Sequence, residues 1–392
     1  MYRTYGFCFL LMWFSNQLVA YQFEVENVEL AGKESPIHEQ MTLLAALCYL
    51  NNTSEMPRNC LSKDLVINDV DLVYPNSSLT TTGEPVFVQD LMRASRWSDD
   101  PTRLSKAGNK RKTALKSIGT TASACVFLRP TWRFPFVYRS DMRRSILGGL
   151  FCSSHYGSMQ FLHSMSSRSA DYSFNPEPMT TSLNKAKAWG SFTMDFFRDK
   201  TLKNEDFCSY FEGILNDDTK IAQHEFAQVF KLNSAVLSQG RDKSQFHCND
   251  AVTLRFLFNN ECTDPFSSTD CNIIHDDKKL EIAALGALLH MIQDAYSTSH
   301  TQRVNDLQPE HINTVYCKTV SEFYEYNAQH KHGVQHADSD KPPISFDESC
   351  YQSENPILDP ITASAIAIWY AMQTEQPEFS IESFLAKHVY GE

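Results

Sequence analysis

Residues 279–296, KLEIAALGALLHMIQDAY, decide the fold class of this chain. Their apolar side chains run almost all round a 3.6-residue period, which is typical of a helix enclosed by other helices. Within the stretch, His290 and Asp294 are four residues apart and therefore point to one helix face. An imidazole and a carboxylate would be costly to bury there without partners. The stretch predicts a central helix that carries a polar site.

Outward from this helix, the pattern predicts further helices and few strands. Residues 51–85 are rich in Asn, Ser, Thr, Pro and Asp and are expected to be mostly loop. Strand-like alternation is scarce, so the predicted class is all-α, a single multi-helix bundle domain. The other predicted helices are residues 38–50, a segment around 155–165, 183–199, 313–329, and 360–373 begun by Pro360.

The first twenty residues resemble an export signal. Arg3 precedes an apolar run from Phe7 to Phe14, and Ala20 ends a small-residue cleavage site. We expect cleavage after Ala20 and a secreted chain of residues 21–392, with a short uncleaved anchor as the alternative. No later segment reaches about 18 consecutive apolar residues, so no transmembrane segment is expected in the mature chain.

The cysteines agree with export. Of 11 cysteines, Cys8 lies in the predicted signal, and ten remain, an even number suited to disulfides in an oxidising compartment. Cys262 and Cys271 are close enough in sequence to staple one loop, although the spacing leaves the connectivity open. No CxxC pair occurs, which argues against a zinc site built from cysteines.

The polar residues of the central helix continue into a longer motif. His300 follows a short polar stretch, Tyr-Ser-Thr-Ser, which is expected to end the helix and fold the chain back. The result is H-x3-D-x5-H, with the nitrogen and oxygen ligands that zinc takes. Spacing alone leaves a second interpretation open, namely a buried His–Asp pair and an unrelated surface histidine.

The stretch LGALLHMIQDAYSTSHTQR resembles the core motif of the zinc-dependent phospholipase C and single-strand-specific zinc nuclease superfamily. It is most similar to secreted bacterial zinc metallophospholipases C. The resemblance implies an α-helical catalytic domain that holds two to three Zn²⁺ ions in a cleft, with ligands from distant segments. The matching segments are short islands within residues 36–303.

Several site residues are implied by this resemblance. In SRWSDDPTR, Asp99 is the implied bridging or basic carboxylate and hence the catalytic candidate, with Asp100 as the alternative. In SHYGSMQFLHSM, His155 is preferred to His163. The implied metal ligands that complete the set are His38 in SPIHEQMTLLAAL, and His290, Asp294 and His300 in the central motif.

The last implied ligand pair departs from the family pattern. A histidine and a carboxylate four residues apart usually follow the H-x3-D-x5-H motif closely, whereas His336 and Asp340 in AQHKHGVQHADSD follow after a longer interval. Asp338, His332 and His330 are nearby alternatives, and a solvated loop without metal is the competing interpretation. A second departure concerns the amino terminus, which binds zinc through its backbone in some members: a chain cut after Ala20 begins at Tyr21, well before His38.

The implied activity is phospholipase C, with phosphatidylcholine at a membrane surface as the expected substrate and a monomer as the expected state. A net charge of −12 argues against a nucleic-acid partner. The rivals are a single-strand nuclease with the same metals and a non-catalytic secreted binding protein. HExxH, G-x-S-x-G and P-loop motifs are all missing, which disfavours a zincin protease, a serine lipase and a P-loop enzyme.

Overall fold

A computed structural model describes most of the predicted helical core. The described residues are 37–51, 53, 55–61, 78–79, 86, 88–99, 154, 158–167, 177–237, 253–262, 271–304, 317–325, 356–375 and 377–392. The predicted signal at 1–20, His155, Asp100 and the His336–Asp340 pair with its alternatives lie outside them.

The described part is mostly helical, as the sequence predicts. It contains eight α-helices and two short antiparallel ribbons. The helices are α1 (Ile37–Asn51), α2 (Val88–Ala94), α3 (Met179–Arg198), α4 (Phe207–Leu215), α5 (Ile221–Leu237), α6 (Asp277–Asp294), α7 (Pro360–Met372) and α8 (Ile381–Phe384), which continues as a π-helical segment, Leu385–Tyr390. The strands are β1 (Asn260–Cys262) paired with β2 (Cys271–Ile273), and β3 (Thr301–Arg303) paired with β4 (Val320–Phe323).

Helix α6 lies at the centre, where the apolar pattern predicts it. Every residue from Leu280 to Asp294 is buried, and α6 packs against α1, α2, α3 and α7. Its start is fixed by Asp276, whose side chain accepts hydrogen bonds from the first-turn amides of Lys278 and Lys279. The helix therefore presents side chains to four neighbours at once.

The boundaries of α7 follow from its sequence. Asp359 accepts hydrogen bonds from the amides of Ile361 and Thr362, both at 2.9 Å, and Pro360 occupies the first helical turn. α7 packs along α1, and the Cys48–Cys60 disulfide joins the end of α1 to the loop that follows it. Cys208 and Cys317 are also disulfide-bonded. Disulfide-bonded cysteines at these positions agree with the expectation of disulfides.

Two predictions of helix are wrong in the described residues. In the predicted helix 313–329, Val320–Phe323 is strand β4, whose two end residues are buried and whose middle residues are exposed. Pairing with β3 satisfies its backbone and overrides the local helical pattern. In the predicted helix around 155–165, residues Gln160–His163 form a 3₁₀ turn that ends at Ser164 with a left-handed backbone.

Aromatic side chains fill the space beside α6. Trp189 of α3 is fully buried and stacks near Trp97, Phe192 and Phe258. Buried apolar residues of all eight helices belong to one continuous cluster. Among the described residues, no helix combines the length and apolar character required to cross a membrane.

Candidate metal centre

Six buried polar side chains from four parts of the chain meet against α6. None of the six is more than 5 % exposed. Five of them are implied by the sequence motif, and the sixth, His163, is the alternative to His155. The six residues are His38, Asp99, His163, His290, Asp294 and His300. His300 joins the cluster through its Nδ1, 3.6 Å from Asp294 Oδ2, and belongs to neither group of residues that could hold a metal ion.

The six residues of the cluster lie on different elements of the fold. His38 lies in the first turn of α1, and Asp99 lies in the turn that follows α2. His290 and Asp294 are one turn apart near the end of α6, as their spacing predicts. After α6 the chain turns back through Ser297, and the backbone amide of His300 donates to the Ser297 carbonyl at 3.0 Å. The predicted reversal of the chain after the helix is confirmed.

The 3₁₀ turn Gln160–His163 brings His163 into the cluster, where its Nδ1 lies 3.0 Å from Asp294 Oδ2. Ser164, in a left-handed conformation with φ 49°, donates its hydroxyl to the Met291 carbonyl at 2.8 Å and lies 2.8 Å from the Tyr390 hydroxyl. The turn is thereby attached both to α6 and to the carboxyl-terminal segment. Such strain in a non-glycine residue persists only where surrounding contacts over-determine it.

The ligand atoms form two overlapping groups. His38, His290 and Asp294 form one, and Asp99, His163 and His290 form the other, with the ligand atoms of each group within 4.8 Å of one another. Either group could hold a metal ion.

The separations of the atoms suit a metal ion. His290 Nε2 lies 2.8 Å from Asp294 Oδ2 and 3.1 Å from His163 Nδ1, while His38 Nε2 lies 3.4 Å from Asp294 Oδ1. Two ligands at zinc distances of about 2.0–2.1 Å on a tetrahedral ion are themselves about 3.3 Å apart. The observed separations are of this order, so the spacing of the donor atoms is compatible with a bound metal ion.

Hydrogen bonds orient three of the histidines. His290 Nδ1 donates to the Ser95 carbonyl at 2.7 Å, and His300 Nδ1 donates to the His163 carbonyl at 2.6 Å. His38 Nδ1 donates to Gln293 Oε1 at 2.9 Å. Each bond places the ring proton on Nδ1 and leaves a lone pair on Nε2, the arrangement that partner groups impose on metal-ligating histidines.

The electrostatics of the cluster favour a neutral His163 and an ionised Asp294. Burial lowers the pKa of His163 to about 3, although its hydrogen bond to Asp294 acts in the opposite direction. Burial by itself would raise the pKa of Asp294, but the neighbouring His290 and His300 together with hydrogen bonds hold that pKa well below its usual value. Neutral imidazole and carboxylate are the forms that bind a cation.

One carboxylate oxygen of Asp294 has no hydrogen-bond partner among the described residues. Asp294 is 1 % exposed, and its Oδ1 makes no hydrogen bond to any described part of the chain. Buried polar atoms nearly always have a partner, and an ion is one recognised explanation for an exception. Asp294 Oδ1 also lies 3.4 Å from His38 Nε2, a separation that two ligands of one metal ion would have.

A buried ion pair adjoins the cluster. Arg96 donates to Glu39. Arg96 lies just before Asp99 in the sequence, and Glu39 directly follows His38. The pair connects α1 to the turn after α2 and so fixes the relative positions of two site side chains. Since its charges cancel, the pair adds no net charge to the cluster.

Sequence reasoning missed several supporting residues. Gln293 bridges His38 and Thr42, and its amide nitrogen donates to Thr42 Oγ1 at 3.0 Å. A polar residue in an otherwise apolar helix was an available signal for Gln293. The roles of Ser95 and Ser164 had no such signal, because they act through contacts between distant elements.

No protein-family model, curated protein or solved structure matches this chain. The function is therefore inferred from the six side chains and from the resemblance of the motif that carries three of them.

Proposed function

We propose that this chain is a secreted zinc-dependent phosphodiesterase of the phospholipase C type, which hydrolyses phospholipids, with phosphatidylcholine as the expected substrate. The observation that carries the proposal is the convergence of His38, Asp99, His290, Asp294 and His300 in one buried cluster. The motif resemblance implies all five of these residues. An accidental sequence match would give no reason for the segments around positions 38, 99 and 290–300 to meet.

The charge of the cluster supports a divalent cation. Two carboxyl groups and four imidazoles are buried together, and the His163 imidazole is neutral at pH 7 because its pKa is near 3. Uncompensated buried carboxylates are costly, and a divalent ion offsets that cost. Nitrogen and carboxylate ligands without cysteine suit zinc. We assign His38, His290 and Asp294 to one ion and Asp99 and His163 to the neighbouring position, because His290 has a single lone pair, on Nε2, and can bind only one ion.

The proposed chemistry matches the requirements of an anionic substrate. When bound, zinc supplies positive charge for the phosphoryl oxygens and lowers the pKa of water. The chain orients the cluster through the Nδ1 hydrogen bonds of His38, His290 and His300. Asp99 Oδ1, which lies 3.6 Å from His290 Nε2 and 3.9 Å from His163 Nδ1, is the proposed acceptor for the proton of the attacking water.

The test combines zinc content with product release. Full-length protein folded with zinc should contain at least two ions per chain by mass spectrometry of the metal and should release phosphorylcholine from phosphatidylcholine emulsions. A chelator should abolish the release and added zinc should restore it. Fewer than two ions per chain together with no release of phosphorylcholine would favour a non-catalytic binding protein, and cleavage of single-stranded DNA in its place would favour a nuclease.

Matched variants make the test specific to the site. Asp294→Asn should lose zinc and reduce the rate by at least about 10²-fold, since removal of one carboxylate breaks the ligand set. Asp218→Asn and His275→Gln change exposed residues of the same types away from the cluster and should keep parental zinc content. A fully active Asp294→Asn protein with its full complement of zinc would contradict the assignment.

A further inference from the structure

A second site lies at the carboxyl-terminal end of the fold. A pocket of about 550 Å³ opens between the loop closed by the Cys48–Cys60 disulfide, α7, and the α8 segment with its π-helical continuation. Its volume falls within the range of pockets that bind small molecules. None of its lining residues belongs to the metal centre, so the pocket is a separate feature of the molecule.

The walls of the pocket are apolar. Leu358, Ile366, Phe379 and Phe384 line it, and Met56 continues the apolar surface on the loop side. Apolar walls of this kind bind a hydrocarbon group by removing it from water, at roughly 25 cal/mol for each Å² that is buried. The walls therefore select a ligand with a hydrocarbon portion.

The rim of the pocket is cationic. Arg58 and Lys387 are exposed lining residues, His388 lies beside Lys387, and no Asp or Glu is among the described lining residues. Neither Arg58 nor Lys387 has an ion-pair or hydrogen-bond partner within the described part of the chain. The rim therefore carries local positive charge, although the net charge of the protein is −12.

The position of Lys387 near a helix end explains only part of this arrangement. A cation in the last turn complements the helix dipole, an effect of about 0.3–1 kcal/mol at exposed positions. Arg58 comes from the disulfide-closed loop and has no such role. An anionic ligand group between the two cations would engage both of them.

We infer that this pocket binds a single-chain anionic amphiphile, specifically a long-chain fatty acid whose carboxylate lies between Arg58 and Lys387 and whose hydrocarbon chain lies against Phe379 and Phe384. The apolar walls select the hydrocarbon chain, and the two cations select the negative charge. The inference is independent of the proposed phosphodiesterase activity, because a fatty acid has no phosphodiester and the metal centre contributes no residue.

The test uses the full chain with the metal centre disabled by a chelator. Parinaric acid, a fluorescent long-chain fatty acid, should bind saturably at one site per chain. Its methyl ester, which lacks the charge, should bind at least about tenfold more weakly, a difference of about 1.4 kcal/mol. Inorganic phosphate, which lacks the hydrocarbon chain, should not displace parinaric acid. Equal affinity for the acid and the ester would overturn the inference, and so would displacement by phosphate.

Variants locate the binding to this pocket. The double variant Arg58→Glu/Lys387→Glu should weaken parinaric acid binding by at least about tenfold, because it reverses both rim charges. Lys200→Glu, which changes an exposed lysine outside the pocket, should bind like the parent. Ser383→Phe fills the pocket from its wall and should also block binding.

Thermal unfolding of each variant separates loss of the site from loss of the fold. Unchanged parinaric acid binding by a folded double variant together with a folded Ser383→Phe variant would refute the site. Phosphorylcholine release is measured separately, so the result leaves the proposed function untouched.

Discussion

At the scale of single residues, hydrogen bonds at Nδ1 fix the ring orientations of three histidines of the cluster. His38, His290 and His300 each donate Nδ1–H to a fixed oxygen, and two of these oxygens are backbone carbonyls. The acceptor for His38 is different, because it is the side chain of Gln293. The orientation of His38 is therefore open to a direct test by substitution.

Gln293→Leu should lower zinc affinity by about 10–100-fold, the usual effect of removing a group that orients a metal ligand. Leucine keeps most of the side-chain volume but cannot accept the proton of His38 Nδ1. Zinc affinity is measured by competition with a calibrated chelator. Gln302→Leu on β3 is the matched control, and parental affinity in both variants would show that Gln293 does not position His38.

The metal-free protein should lose stability on mild acidification. The pKa of His163 is about 3 in the folded chain, below its ordinary value of 6.5, so the unfolded chain binds more protons between these limits. This contribution to stability is fully present above pH 6.5 and is lost as the pH falls towards 3. The lowered pKa of Asp294 acts in the same direction at more acidic pH.

We expect the free energy of unfolding in the presence of a chelator to fall by roughly 2 kcal/mol between pH 7 and pH 5, given 1.36 kcal/mol for each pKa unit. Urea denaturation at the two pH values measures the difference. His163→Gln should reduce this difference, because glutamine does not titrate. Equal stability of the parent at pH 7 and pH 5 would contradict the burial of a neutral His163.

At the scale of secondary-structure elements, the close approach of α6 and α2 sets the site geometry. A Cβ atom on Gly286 would lie 2.3 Å from the carbonyl carbon of Ala94 and 2.4 Å from its oxygen. Backbone atoms cannot give way as a flexible side chain does. The next residue, Ser95, holds His290 through its carbonyl, so a shift of α2 would be transmitted to the metal centre.

Gly286→Ala should therefore destabilise the protein by about 1–3 kcal/mol, the usual cost of overpacking, and should weaken zinc binding. This cost exceeds the gain of up to about 1 kcal/mol that alanine offers within a helix. Gly213→Ala in α4 is the control, because no atom lies within 4 Å of its added Cβ. It should be neutral or stabilising by urea denaturation. Equal effects of the two substitutions would rule out the contact.

At the scale of the whole molecule, the site joins segments that are far apart in sequence. Its described residues run from position 38 to position 300, and they involve α1, the turn after α2, the 3₁₀ turn and α6. An unfolded chain does not hold these groups together. Binding of a metal ion at these residues would therefore be coupled to the folding of most of the described core.

Zinc should raise the stability of the entire described fold. At a free zinc concentration about 1,000 times the dissociation constant, linkage predicts about 4 kcal/mol of stabilisation. The thermal midpoint should fall by at least about 5 °C when zinc is removed with a chelator. Asp294→Asn should abolish this difference, whereas Asp218→Asn should retain it. A midpoint that is indifferent to zinc in the parent would argue against a metal centre at this position.

The sequence by itself determined the elements that depend on local pattern. The apolar period of 279–296 predicts α6, and Asp359 followed by Pro360 marks the start of α7. The i, i+4 spacing of His290 and Asp294 requires that both lie on one helix face. Each of these features is set by residues that lie within one or two helical turns along the sequence. The sequence pattern alone is therefore enough to predict them.

Only the tertiary structure decided which distant groups meet. It brought His163 into the cluster through a 3₁₀ turn fixed by Ser164, and it turned Val320–Phe323 into a strand by pairing that segment with β3. It also supplied Gln293 and the Ser95 carbonyl as partners of the histidines. The physical reason is that packing and hydrogen bonding between elements outweigh local preferences of less than about 1 kcal/mol per residue.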